Sequence, residues 1–195
     1  MGSARIWLVR HGETEWTRSG QHTGTTDIEL TGNGRDQARS LAPILAGAHL
    51  VLTLSSPMAR ARETARLAGV SDPEITDDLC ELGYGEYEGL TTAEIRETNA
   101  GWSVWDDDAP GGERLANAAA RCQRVIERVE GADGDVALFG HGHIFRILGA
   151  TWIGLPPAGG RMLGLSPASV SILGYEHEYH VLDLWDLTPS FLRPA

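Results

Sequence analysis

Short apolar runs alternating with helical patterns are the strongest constraint this sequence places on its fold. Four runs, at residues 6–9, 50–54, 136–139 and 170–173, are rich in Val, Ile and Leu and too short for helices, so they read as buried strands. A fifth, 179–184, alternates less cleanly. Helical patterns lie between them. Thr31 is a candidate N-cap for a helix over 32–46. Ser56 followed by Pro57 starts another, because proline is favoured at the first helical position; it should run to Ala68, with Gly69 as its stop. Residues 113–130 place Leu115, Ala118, Cys122, Val125, Ile126 and Val129 at helical spacing, which buries one face. A further helix is expected over 143–153. Strands alternating with helices imply an α/β chain, a three-layer α/β/α sandwich around a mostly parallel sheet. No repeat or linker divides the 195 residues, so one domain over 1–195 is expected.

In such sheets ligands bind beyond the carboxyl ends of the strands. Three of those ends carry cationic or proton-carrying side chains: Arg10-His11-Gly12-Glu13, then Ser55-Ser56-Pro57 with Arg60 and Arg62, then Gly140-His141-Gly142-His143. Taken singly, His11 is equally well explained as a histidine satisfied by a hydrogen bond near a strand end, and His141 as a helix-start histidine with flexible neighbours. Together, at parallel strand ends with two arginines, they suit a phosphoryl group. The planar guanidinium pairs phosphate oxygens bidentately. A histidine nitrogen can attack phosphorus. The helix opening at His141 offers unpaired backbone N–H groups to an anion, and glycine beside each histidine lets a ligand approach. The pair His141-x-His143 is too sparse for zinc, so no metal and no cofactor are expected. Cys122 and Arg128 have the C-x5-R spacing of cysteine-dependent phosphatases, but the interval is helical rather than a Gly-rich loop. Asp106-Asp107-Asp108 follows no apolar strand and reads as a solvated loop.

The segment Leu8-Val9-Arg10-His11-Gly12-Glu13-Thr14 resembles the R-H-G signature of the histidine phosphatase superfamily, which includes the cofactor-dependent phosphoglycerate mutases. Residues 56–65, Leu79-Cys80-Glu81 with Gly85-Glu86-Tyr87-Glu88-Gly89, and Gly140-His141-Gly142-His143 resemble the family's further blocks, in the family's order. The resemblance implies a phosphoglycerate mutase-like fold and gives each residue a role. His11 is the nucleophile that becomes phosphohistidine. Arg10, Arg60 and His141 bind the phosphoryl oxygens, with His141 most useful as a cation. Glu81 protonates the leaving oxygen and then activates water. Thr17 stands where many members have asparagine and is a candidate hydroxyl donor to phosphate. Residues 20–24, including His22, Thr23 and Gly24, are expected to form a pocket wall, and Gly142 and His143 are further substrate contacts. Together with Thr26-Asp27 and the stretch to Arg146, they resemble a microbial phosphatase branch whose members hydrolyse sugar phosphates, including sedoheptulose bisphosphate. Mutases of the family carry a longer, more basic insertion between the third and fourth blocks. Here residues 91–114 are acidic and hold Trp102 and Trp105, so hydrolysis is expected, with mutase activity and an inactive phospholigand-binding module as the alternatives.

Charge narrows the partners. Sixteen Lys+Arg against 27 Asp+Glu give a net charge of -11, which disfavours nucleic acid and anionic membranes. It does not exclude a small phosphorylated metabolite, because a short bidentate contact is screened less than a distant surface field. No apolar run approaches the ~18 residues of a spanning helix, and residues 1–5 lack a signal-peptide pattern. Cys80 and Cys122 read as free thiols of a reducing compartment, so a cytoplasmic protein is expected. The 179–184 run is a candidate edge strand, either covered or a homodimer contact.

Overall fold

The structure, a computed structural model, describes residues 5–189; the signal-free reading of residues 1–5 falls almost wholly outside that range. Strand β1 (Ile6–Arg10) leads into the short helix α1 (Glu15–Ser19), then α2 (Gly32–Arg39) and α3 (Ala42–Leu45). Next come β2 (Leu50–Ser55), α4 (Ala59–Leu67), a two-residue β3 (Glu74–Ile75) and α5 (Thr92–Thr98). The chain closes with α6 (Leu115–Val129), β4 (Asp135–Gly140), α7 (Gly142–Trp152), β5 (Val170–Glu176) and β6 (Tyr179–Leu187).

The strands form one sheet in the order β3-β2-β4-β1-β5-β6. The first four are mutually parallel, while β5 and β6 are antiparallel to their neighbours. Successive residues of a strand face opposite sides, and both sides are covered. Ile6, Leu8, Val136 and Leu138 pack with Val125, Ile126, Ile147 and Leu148 of α6 and α7. Trp7, Val9, Ala137 and Phe139 pack with Leu41, Leu45, Ala65 and Ala68 on the other face. The expected α/β/α sandwich is therefore present. The pairing of β1 with β4 ends at Arg10 opposite Gly140, so His11 and His141 leave the sheet side by side.

Three helices differ from expectation. The helix over 32–46 is two helices, because Pro43 has no N–H to donate and its ring would collide with the Arg39 carbonyl. Thr31 does cap α2: its Oγ1 accepts the Gly34 N–H at 2.9 Å, a contact worth about 1 kcal/mol. Helix α4 opens at Ala59 rather than Pro57, because the Ser56 hydroxyl accepts the Met58 N–H at 3.3 Å and holds a turn before the helix. Helix α6 starts at Leu115, because Arg114 is extended (ψ 144°) and stands as its N-cap, while the Glu113 N–H is bonded to the Gly83 carbonyl at 2.8 Å. Helix α7 begins at Gly142 with His141 as its N-cap, and β6 continues to Leu187 as an edge strand. Cys80 and Cys122 are free thiols; burial pushes the Cys122 thiol up to about 12, which suits packing inside α6 rather than nucleophilic chemistry. Among the described residues no helix is long and apolar enough to cross a membrane.

Candidate active site

A cavity of about 180 Å³ opens at the carboxyl ends of β1 and β4. Arg10, His11, Thr17, His22, Thr23, Glu81, Gly142 and His143 line it, as do Tyr84 and Arg146. His11 is 3% exposed. Its Nδ1 lies 2.7 Å from the Gly12 carbonyl oxygen, which can only accept, so Nδ1 carries the proton and Nε2 keeps its lone pair. Burial and the charges of Arg10 and Arg60 hold the ring well below the usual imidazole range. His11 is thus an unprotonated imidazole with one nitrogen tethered and the other available.

Arg10 stands beside it. Its Nη1 donates to the Leu165 carbonyl oxygen, and its buried Nε has no hydrogen-bond partner. An uncompensated guanidinium N–H is costly when buried, and a bidentate oxyanion is the partner that would relieve it. Gly142 makes room for this arginine, since a Cβ there would stand 3.2 Å from Arg10 Cζ. Gly142→Ala should displace the guanidinium by a few tenths of an ångström and lower kcat/KM by about tenfold, with an unchanged melting temperature. Steady-state kinetics on a chromogenic phosphate ester check this. Gly12 is small for a different reason than ligand access. A Cβ there would meet the Gly34 carbonyl oxygen at 2.3 Å, so the turn after β1 packs directly on α2.

Arg60 and His141 are both fully buried and lie behind the cavity wall. Arg60 Nε donates to His141 Nδ1 at 3.1 Å, Nη1 to Thr26 O at 2.9 Å, and Nη2 to Gly24 O at 3.1 Å and Thr23 O at 3.4 Å. His141 Nδ1 is therefore an acceptor, and Nε2 carries the proton toward Ser56 Oγ at 2.8 Å. The expectation of a cationic His141 is corrected: burial and the neighbouring arginines hold it well below the usual range, and the arginine N–H occupies the site a second proton would need. Arg60 acts on His11 by its charge and on His141 by contact. Arg62 points outward and is exposed.

Glu81 follows a short 3-10 turn (Asp77–Leu79) that Arg121 of α6 anchors, donating to Asp78 O at 2.8 Å and Cys80 O at 2.9 Å. Its carboxylate sits on the N-terminus of α7. Oε1 accepts from Leu82 N at 2.9 Å and Ile144 N at 2.8 Å, and Oε2 accepts from His143 N at 2.9 Å. It shares the cavity with His11. Thr17 lines the cavity, but its hydroxyl donates to Thr14 O at 2.9 Å and accepts Thr14 N–H at 2.8 Å in a capping box for α1. Its proton is spent on the helix, which corrects the expected donation to phosphate. Gly24 is buried and does not line the cavity; it serves through its carbonyl on Arg60 and its N–H on Glu88 Oε1 at 2.8 Å.

The far side of the cavity is aromatic. His22 is 9% exposed, with its ring 4.7 Å from that of Tyr84 and 5.4 Å from that of Trp102, so it is not a solvated loop histidine. His143 Nδ1 lies 2.7 Å from Tyr84 Oη. Burial, then the charge of Arg146, hold His143 well below the usual range, and burial raises the Tyr84 phenol well above its own. Arg146, one helical turn beyond Gly142, stacks its guanidinium 4.5 Å over the Trp105 ring and lines the cavity. Sequence reasoning missed it as a site residue, although i, i+4 spacing from Gly142 signals a shared face. Asp106 of the acidic loop is paired to Arg161 at 2.5 Å, outside the cavity.

Comparisons with known proteins place the chain in a family. The family model described as histidine phosphatase superfamily (branch 1) matches residues 6–188. An acid phosphatase of Mycobacterium tuberculosis is 39% identical over 188 residues, covering 94% of this chain and 93% of its own. A sedoheptulose 1,7-bisphosphatase of Saccharomyces cerevisiae is 34% identical over 184 residues, covering 77% of this chain and 68% of its own. The solved structure of an open reading frame product from Mycobacterium tuberculosis superposes with a TM-score of 0.92 at 38% identity, covering 95% of this chain and 98% of that one.

Proposed function

This chain belongs to the histidine phosphatase superfamily, branch 1, and on that premise we propose that it hydrolyses small phosphate monoesters through a phosphohistidine formed on His11. The observation that carries the proposal is the pairing of a lone pair on His11 Nε2 with an unpartnered Arg10 Nε at one cavity. His11 Nε2 attacks phosphorus and the P–O ester bond breaks. Glu81 gives its proton to the departing alkoxide, then takes one from water, which cleaves the P–N bond and releases phosphate. Arg10 holds two phosphoryl oxygens as charge spreads over them in transfer. Arg60 adds positive charge from behind the wall, and its bond to His141 fixes the neighbouring ring. Gly142, His143, His22 and Thr23 face the leaving group.

Two features favour hydrolysis of a compact ester. The cavity of about 180 Å³ is smaller than the roughly 300–1,000 Å³ usual for drug-sized ligands. The relatives named as an acid phosphatase and a bisphosphatase match at 39% and 34% identity. The test is a paired assay in chelator: phosphate release from a panel of phosphorylated metabolites, and interconversion of 3-phosphoglycerate. Release without isomerisation is expected. Fast, bisphosphate-stimulated isomerisation with little release would replace the phosphatase reading with a mutase.

A further inference from the structure

The β5–β6 ladder breaks its register where β6 meets the loop that carries the cavity-lining Leu165. Val170 pairs with Leu187 and Ile172 with Leu184, so β6 carries one more residue than β5 across this interval. The extra residue falls at Trp185 and Asp186, and Asp186 takes a left-handed φ of 59°. Such bulges re-aim a side chain. Here the Asp186 N–H donates to Ser171 Oγ at 3.0 Å, which fixes the bulge. The carboxylate turns onto Ser166, with Oδ1 accepting the Ser166 N–H at 2.6 Å and Oδ2 accepting the Ser166 hydroxyl at 2.9 Å.

The loop it grips touches both reacting residues through backbone atoms alone. The Leu165 carbonyl, next to Ser166, accepts from Arg10 Nη1. Ser169 Oγ donates to Ser166 O at 2.7 Å and closes the loop on itself. The Ala168 N–H donates to the His11 carbonyl at 2.9 Å, and the Arg10 N–H donates to Ser169 O at 3.1 Å. Ala168 is buried with a φ of 51°, an unfavourable conformation that persists only where the surroundings enforce it. The bond to Leu165 is the one hydrogen bond made by the Arg10 guanidinium among the described residues, so the direction of its open edge depends on where that carbonyl is held. Burial lowers the Arg10 pKa, and Glu81 and Asp186 are among the charges that oppose this.

We propose that Asp186 is a positioning residue, which clamps Ser166 so that the Leu165 carbonyl holds Arg10 with its open edge toward the phosphoryl group. The proposal rests on the reading of Arg10 as the phosphoryl-binding arginine. It is tested by a double-mutant cycle of Asp186→Gly and Arg10→Ala, read as the inhibition constant of inorganic phosphate and as kcat/KM on a chromogenic ester. Glycine accepts a φ of 59° without strain, so Asp186→Gly removes the carboxylate and spares the bulge. It should weaken phosphate inhibition by about tenfold and lower kcat/KM in parallel. In the Arg10→Ala background the same change should do nothing further. Asp186→Asn keeps the left-handed turn and an acceptor for the Ser166 N–H, and should stay within about threefold of the parent. A melting temperature for each variant confirms that it is folded. Unchanged phosphate inhibition in Asp186→Gly, or an equal loss in both backgrounds, overturns the positioning role while leaving Arg10 in place. An Arg10→Ala variant with undiminished phosphate affinity overturns the Arg10 reading and this proposal with it.

Discussion

Replacing His11 with alanine should lower phosphate release by roughly 10⁵-fold, the scale on which losing a nucleophile is felt. No neighbour can substitute. His141 has its ring centroid 5.1 Å away, but one of its nitrogens receives the Arg60 N–H and the other donates to Ser56. His143 is tied to Tyr84 through Nδ1. The variant should fold, because the contacts of His11 that hold the strand end are backbone bonds: its N–H to Gly140 O at 3.0 Å and its carbonyl to the Ala168 N–H at 2.9 Å. The measurement is phosphate release in chelator, together with trapping of an acid-labile, base-stable phosphoprotein from the parent. Equal rates for parent and variant would remove His11 from the chemistry. A slow variant that still forms the phosphoprotein would move the nucleophile elsewhere.

What the chain disclosed in advance depended on how local each feature is. Strands β1, β4 and β5 were readable because they are buried on both faces and so appear as apolar runs, whereas β2, buried only at Leu54 and Ser55 and exposed at Val51, was readable from its leucine- and valine-rich composition. The strand-end residues followed, since parallel topology sends those ends to one side. Arg10, His11, Glu81, Gly142 and His143 do meet at one cavity. The state of His141 was not readable. It depends on Arg60 reaching across 81 positions of sequence to give its N–H to Nδ1. The burial of His22 depends on Tyr84 and Trp102, which come from two later segments. Asp186 depends on a bulge, and nothing in the pattern of β6 marks where register is lost. Two misses did leave a signal. Thr14-x-x-Thr17 has hydroxyls at capping-box spacing, and Arg146 shares the Gly142 face of α7.

Stability should fall steeply as pH drops from 7 to 5, while His11 stays a competent nucleophile. His11, His141 and His143 are held well below the usual imidazole range, in each case first by burial and then by a nearby cation, and His22 is lowered as well. In the unfolded chain each takes up a proton near pH 6.5. In the folded chain it does not until the pH is well below that. Between those limits the unfolded state binds more protons, so the free energy of unfolding rises with pH and declines as pH falls. Each such histidine contributes a slope of about 1.4 kcal/mol per pH unit, and the three strongly shifted ones together about 4 kcal/mol per unit. Carboxylates lowered by ion pairs, such as Asp135 beside Arg5, act at lower pH and leave this window to the histidines. Urea melts at half-unit steps should show the decline, and His143→Gln should reduce the slope by about one proton's worth. The same lowering keeps His11 Nε2 unprotonated in mildly acidic solution, so its acid limb in kcat/KM should lie well below pH 6.5. Stability that is flat from pH 7 to 5, or an acid limb at pH 6.5 in a fully folded sample, would show that these rings titrate as if exposed. The buried, neutral pair of His11 and His141 would then have to be abandoned as the ground state for catalysis.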